Sequence, residues 1–334
     1  MASFDNSVAV HTITAGKLRR YHHLTLLQHF LWPSLMIKNA GDAFLVGVGF
    51  VQSLFKLILW RPDVIFTKGG YVCLPVGMAA HVLKIPLVIH DSDAHPGLTN
   101  RILSRWATSI GTGAPLEYYH YPKSKSKYTG IPINTDFKPY TSSQQWDAKR
   151  EWGINPDQPL VVITGGGLGA RRLNNTAVSI LKQVQKKASV VLMSGVGQYE
   201  ELKAKVPKNS DHFQLHAFTN KMPQLLGAAD IVVTRAGATT ILELAALAKP
   251  TILVPNAALT GGHQIKNAAV YEDAKVAVVL VEDDMVEKPE LLFQAISTLL
   301  DEPKATQAMA RRFSSFAKPD AAKDMAQLIL AARK

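Results

Sequence analysis

Residues 159–167 read PLVVITGGG, and the chain runs on through TGGGLGARRLN at 164–174. An apolar, β-branched run that ends in consecutive glycines and enters a helical pattern is the start of a strand–loop–helix unit. The same unit recurs downstream. SVVLMSG (189–195), QLHAF (214–218), ADIVVTRAG (229–237), PTILVP (250–255) and AVVLV (277–281) read as strands. Between them lie helical stretches through Val184, around Glu200, and over 222–228 and 239–248. Six strands alternating with helices in about 120 residues predict a doubly wound parallel sheet. Upstream, DVIFT (63–67), PLVIH (86–90), SIGTG (109–113) and SKYTG (126–130) repeat the pattern, with helices predicted over 74–83 and 98–106. The expectation is α/β, with two Rossmann-like doubly wound domains. Residues 1–138 form the first, 139–316 the second, and 317–334 a terminal helix that packs back on the first.

The chain has 334 residues, enough for two domains, and its 47% hydrophobic and 19% charged residues exclude wholesale disorder. One cysteine, Cys73, excludes an internal disulfide and a thiolate zinc site. The net charge of +11 is uneven: 16 basic against 8 acidic residues in 1–150, and 21 against 18 in the rest. Such a field suits nucleic acid, anionic headgroups or a diphosphate. No zinc-finger, RNP-type or helix-turn-helix signature is present, so nucleic acid is not expected. The opening residues lack the form of a signal peptide and predict a strand over 7–14. The longest apolar stretch, 43–55, falls short of the roughly 20 residues of a spanning helix, so none is predicted. Gln52, Ser53 and Lys56 share one side of this helix, which reads either as core-packed or as a face resting on a bilayer. Phe30, Leu31, Trp32, Leu35, Met36 and Lys38 just upstream favour the bilayer.

Glycines 165, 166, 167 and 169 let backbone approach a ligand, and the helix start beyond them favours an anion. No GK[ST] follows, so this is not a Walker loop, and no acidic residue near Met193 completes a dinucleotide fingerprint. A plain tight turn remains the alternative. RAGATTILELAA (235–246) repeats the strand-to-helix turn, placing Thr239 and Thr240 in a first helical turn with free N–H groups. Glu243 suits the vicinal diol of a ribose, or else closes a capping box with Thr240. In GGHQIKNA (261–268), His263, Gln264 and Asn267 share a helical face, and amides there suit sugar hydroxyls. In the first half, FTKGGYVCLP (66–75) is a further strand-to-loop turn. HDSDAHPGLTN (90–100) gathers His90, Asp91, Asp93, His95 and Asn100 beyond a strand end, in a spacing that fits no closed metal site. Neither GxSxG nor HExxH occurs.

The segment GGYVCLPVGMAAHVLKIPLVIHDSDAHPGLTN resembles the acceptor-side pattern GGYVSGPxxxAAxxxxIPxxxHEQNxxxGLTN of MurG-type glycosyltransferases. TGGGLGARRLN resembles their GGSQGARxLN loop, RAGATTILELAALAKPTILVP their RSGAxTxxEhxxxGhPxhhhP segment, and GGHQIKNA their DHQxxNA run. The joint order of four motifs spans about residues 7–334. The resemblance implies the glycosyltransferase B fold and inverting transfer of N-acetylglucosamine from UDP-GlcNAc to lipid I, giving lipid II for peptidoglycan. By motif position, Ala238, Thr239, Thr240 and Glu243 would hold uridine, diphosphate and ribose, and Gln264 with His263 the sugar hydroxyls. Gly167, Asn134, Thr219 and Asn267 would complete the donor set, and Asn100, His90 and Tyr71 would serve the acceptor. No metal or other cofactor is implied. The implied place is the cytoplasmic face of the cell membrane, peripheral on anionic lipid, with other cell-wall synthesis proteins as partners.

The chain departs from the pattern in places. Gly167 stands for its Ser, Asn134 for its Arg, and Asp91 and Asp93 for the Glu and Asn of HEQN. The family's opening strand and GGTGGH loop, about 65 residues by typical strand–helix spacing, are expected to be missing from the first domain. Asp91 is then the one carboxylate at a matched position able to replace the family's base, and turnover is expected to be poor. Two other functions stay open: a catalytically impaired UDP-sugar-binding remnant, and a transferase acting on diacylglycerol.

Overall fold

In the computed structural model the described residues are 8–17, 33–166, 170–257 and 262–333. The chain divides into two compact units. Unit 1 comprises residues 1–91, 96–128 and 325–334, and unit 2 comprises 92–95 and 129–324. The break at 128/129 lies ten residues before the 138/139 boundary read from the sequence. Residues past Tyr128 pack with unit 2: a Cβ on Gly130 would fall 2.5 Å from the Lys318 side chain.

Unit 1 runs α1 (Pro33–Trp60), β1 (Ile65–Thr67), α2 (Cys73–Val82), β2 (Leu87–Asp91), α3 (Leu98–Leu103), β3 (Ser109–Thr112) and β4 (Ser126–Tyr128). Its four strands are parallel, in the order β1-β2-β3-β4. Leu87 and Ile89 of β2 pack with Val46, Leu57, Leu74 and Leu103 to form one core. The predicted strand over 7–14 is absent from its described part, 8–14. That segment instead lies along α1, where Gln52 holds Thr14 through two hydrogen bonds, 2.7 and 3.2 Å. Gly49 permits the approach, because a Cβ there would fall 1.9 Å from the Thr14 carbonyl oxygen.

The helix α1 also corrects the sequence reading. It has 28 residues, and Met36–Trp60 is long and apolar enough to cross a membrane by length and composition. Its polarity is inverted. Asp42, Val46, Gly49, Ser53 and Leu57 are buried, while Ile37, Phe44, Val51, Phe55, Leu59 and Trp60 are exposed. Phe44 is 72% and Leu59 84% exposed, so the outward face is apolar and the polar Ser53 turns inward to donate to Gly49 O.

Unit 2 contains α4 (Ser142–Glu151), β5 (Leu160–Thr164), α5 (Arg171–Val184), β6 (Ser189–Met193), α6 (Tyr199–Lys203), β7 (Phe213–His216), α7 (Met222–Ala228), β8 (Ile231–Thr234), α8 (Ala238–Ala246), β9 (Thr251–Leu253), α9 (His263–Asp273), β10 (Val278–Val279), α10 (Glu282–Glu287), α11 (Glu290–Asp301) and α12 (Pro303–Ser314). Its parallel sheet has the order β10-β9-β8-β5-β6-β7. The connectivity reverses direction between β5 and β8, where doubly wound sheets bind ligands beyond the strand ends. Strands buried on both faces need continuous apolar runs, and LVVIT, SVVLM and IVVT are buried at every residue. The last helix, α13 (Ala321–Ala331), straddles the units in sequence. Its Met325, with Ala332 beyond it, packs on Val88 of β2.

Candidate functional site

The β5 and β8 ends place two loop-to-helix turns side by side on the sheet. After β8, Arg235, Ala236 and Gly237 lead into α8, with Gly237 as an extended N-cap lacking a side-chain cap. The first intrahelical bond is Ile241 N–H to Gly237 O. The N–H groups of Ala238, Thr239 and Thr240 therefore face outward from the helix start, the arrangement that holds phosphate. Because α8 begins at Ala238, Glu243 lies in its second turn and closes no capping box with Thr240. Its carboxylate has no hydrogen bond or ion pair among the described residues. Burial raises its pKa above the usual carboxylate value. A half-buried carboxylate not spent on the fold is available to the hydrogen-bond donors of a ligand.

On the other side of the switch, α5 starts after Ala170, again without a side-chain cap. Gly167, with Leu168 and Gly169, lies outside the described residues, and Gly166 adopts φ +71. Asn174 anchors this helix start by donating to Ser194 O (2.9 Å) and Gln198 Oε1 (2.8 Å). After β9, α9 begins beyond the left-handed Gly262 (φ +58). Gln264 spends its Oε1 on Asn256 N–H (2.9 Å), and its amide nitrogen has no hydrogen bond among the described residues. The His263 Nδ1 is buried without a hydrogen-bond partner among the described residues, 3.7 Å from Asp93 Oδ2.

Three donor residues read from the sequence are differently employed. Asn267 is 2% exposed, and its amide donates to Asp93 Oδ1 (2.9 Å) and Ala236 O while accepting from Ala94 N–H (2.8 Å). It holds the 92–95 loop instead of facing a sugar. Asn134 closes a local turn with Asp136. The Thr219 hydroxyl accepts from Lys221 N–H (3.0 Å). Beside Thr219, Phe218 is 75% exposed, an aromatic ring beyond the end of β7 that sequence reading passed over. The sequence reads it as the last residue of a strand over 214–218, but β7 ends at His216.

In unit 1 the turn after β1 carries Gly69 and Gly70 at φ +78 and +86, followed by Tyr71, 47% exposed. Asn100 is buried and donates to His90 O (3.0 Å), while its Oδ1 is buried with no partner among the described residues. His90 is fully buried in β2. Asp91, at the carboxyl end of β2, accepts from the Tyr121 hydroxyl at 2.5 Å. Burial, reinforced by this carboxylate, raises the Tyr121 pKa and keeps the phenol protonated. No group of three or more His, Cys, Asp or Glu able to hold a metal occurs among the described residues.

Residues 5–112 match the glycosyltransferase family 28 N-terminal domain and residues 160–325 the family's C-terminal domain. A UDP-N-acetylglucosamine–N-acetylmuramyl-(pentapeptide) pyrophosphoryl-undecaprenol N-acetylglucosamine transferase of Clostridium kluyveri is 34% identical over 88% of this chain and 78% of its own length. A protein of the same name from Thermoanaerobacter is 35% identical over 84% of this chain and 78% of its own. The crystal structure of Acinetobacter baumannii MurG superposes with a TM-score of 0.71 at 27% identity, covering 87% of this chain and 79% of that one. Two parallel-sheet units, uncapped helix starts at the switch of the second sheet and these matches converge: the chain belongs to the MurG family of hexosyltransferases, with the glycosyltransferase B fold.

Proposed function

We propose that the chain transfers N-acetylglucosamine from UDP-N-acetylglucosamine to lipid I, undecaprenyl-diphospho-N-acetylmuramyl-pentapeptide, forming lipid II with inversion at the anomeric carbon. The observation that carries this reading is Glu243, a half-buried carboxylate with no partner among the described residues, one turn inside a helix whose first N–H groups make no intrahelical bond. The helix start takes the diphosphate and Glu243 accepts both ribose hydroxyls, so the pair recognises a nucleoside diphosphate. Negative charge grows on UDP as its bond to the anomeric carbon breaks, and the fixed N–H dipoles stabilise it. The free amide nitrogen of Gln264, with His263, reads the sugar hydroxyls. On the acceptor side, Asp91, held by the Tyr121 hydroxyl, takes the proton of the hydroxyl that displaces UDP.

The outward face of α1 supports the membrane side of the reading. Its exposed Phe44, Val51, Phe55, Leu59 and Trp60 are accompanied by exposed Lys38, Lys56 and Arg61, a pattern suited to an anionic bilayer surface. Asp42, Val46, Ser53 and Leu57 face the unit 1 interior, which supports a helix resting on the bilayer over one that crosses it. This burial supports a peripheral protein, and the cytoplasmic face is the side we propose for it, where a lipid-borne acceptor would be met.

The test is transfer of labelled N-acetylglucosamine from UDP-GlcNAc to lipid I in vesicles containing anionic lipid, with EDTA present. Labelled lipid II is expected at a low rate, and Asp91→Asn should remove it while UDP still binds. Label appearing on diacylglycerol would instead make the chain a glycolipid synthase, and UDP binding without transfer to either lipid would make it a binding remnant.

A further inference from the structure

Beneath the two helix starts of the donor side lies a charge cluster that the account so far leaves unused. Glu282, in the first turn of α10, is 3% exposed and has one arginine on each carboxylate oxygen. Arg235, two residues before the N-cap of α8, reaches Oε1 and also donates to Val254 O (3.1 Å). Arg172, the second residue of α5, lies 3.3 Å from Oε2 and 2.6 Å from Asp283 Oδ1.

The two arginines differ in what they do for the fold. The Arg235 side chain is 8% exposed, and a guanidinium so buried requires a counter-charge, which Glu282 supplies. That single pair satisfies the fold. The Arg172 side chain is 45% exposed, and a pair half in water contributes little stability. What Arg172 adds is a tie. It fixes the start of α5 to the same carboxylate that fixes the end of β8, and so sets the spacing of two uncapped helix N-termini.

We propose that Glu282 is a positioning residue for the donor diphosphate: its buried carboxylate, shared by Arg172 and Arg235, holds the starts of α5 and α8 in register so that both face one diphosphate. The inference rests on the donor-site reading given above. It commits to the diphosphate portion of the ligand, because the clamp joins helix N-termini and not the ribose acceptor Glu243.

Calorimetry with UDP and with uridine separates this role from a purely structural one. Arg172→Gln, at a half-exposed site, is expected to leave the melting temperature within about 2 °C of wild type. It should raise the UDP Kd about three- to tenfold and change the uridine Kd less than about twofold. Arg172→Lys, which keeps the charge, should recover most of the loss. Glu282→Gln should cost UDP binding at least about tenfold, and adding Arg172→Gln to it should cost little more, since the contact left to Arg172 is with the exposed Asp283. If Glu282→Gln fails to fold, Arg172→Gln decides alone. Unchanged UDP affinity in a folded Arg172→Gln, or equal losses for UDP and uridine, overturns the proposal. A wild-type protein that binds neither ligand overturns the donor reading instead.

Discussion

The two ends of the unit 2 sheet use similar residues to opposite purposes. At the amino end, Asp230 precedes β8 and is fully engaged. It accepts from Leu160 N–H (2.7 Å) and Gln145 Nε2 (2.9 Å) and pairs with Lys149 at 2.7 Å. Nearby, Lys249 donates to Gly227 O and Ala229 O at 2.7 Å each. A cavity of about 260 Å³ opens there, lined by Tyr140, Asp230, Lys249 and Arg311 among others. At the carboxyl end, Glu243 and His263 Nδ1 have no hydrogen-bond partner among the described residues, and α8 starts uncapped. The amino end has a cavity but most of its polar groups are spent on the fold. The carboxyl end has polar groups held in reserve, and that reserve marks a ligand site better than volume does.

The comparison breaks most visibly at Asp230. Asp230→Ala leaves the buried Lys149 without its carboxylate and strips acceptors from Gln145 and Leu160 N–H, so about 2–4 kcal/mol of stability should be lost in denaturant titration. The UDP affinity of the folded fraction should hold. A large loss of UDP affinity there would mean that the two ends are not functionally separate.

Glu243 is expected to behave in the reverse sense. Glu243→Ala should weaken UDP binding by about 1–3 kcal/mol, because ribose hydroxyls lose their acceptor, while stability stays level or rises. Calorimetry and thermal melts on the same sample check both halves. Its raised pKa adds a pH dependence. The carboxylate binds the diol only when ionised, so UDP affinity should fall as pH drops from neutral toward that raised pKa, and the fall should be shallower in Glu243→Gln.

Much of this division was legible in the sequence. The ten runs read as strands from DVIFT to AVVLV all contain strands, because parallel strands buried on both faces must be continuous apolar runs and βα turns must carry small residues. The helix starts at 171 and 238 follow from the same glycines. What escaped reading depended on tertiary partners. Asn267 shares a helical face with Gln264 in sequence, yet the 92–95 loop, about 170 residues away, claims its amide. Residues 8–14 alternate like a strand but find their polar partner on α1. The inverted face of α1 was hidden because Gln52 and Ser53 looked like a solvent side, whereas Thr14 and Gly49 O receive them inside.

Smaller effects sharpen the contrast. The helix α4, away from the carboxyl end, has a full capping box between Thr141 and Gln144, so Thr141→Ala should cost about 1 kcal/mol of stability and leave UDP binding untouched. Burial lowers the Lys249 pKa to about 8. The unfolded chain, with an ordinary lysine near 10.4, binds the extra proton between those values, so Lys249 makes stability rise with pH above about 8. Subtracting the Lys249→Met profile from wild type should isolate that slope.

Hydrogen exchange by mass spectrometry with and without UDP-GlcNAc tests the central claim most directly. The ligand is expected to slow exchange in peptides covering 165–173, 237–244 and 262–268, and to leave peptides covering 139–150 and 307–312 unchanged. Protection confined to 139–150 and 307–312, or no protection anywhere, would contradict the assignment of the donor site to the carboxyl end of the second sheet.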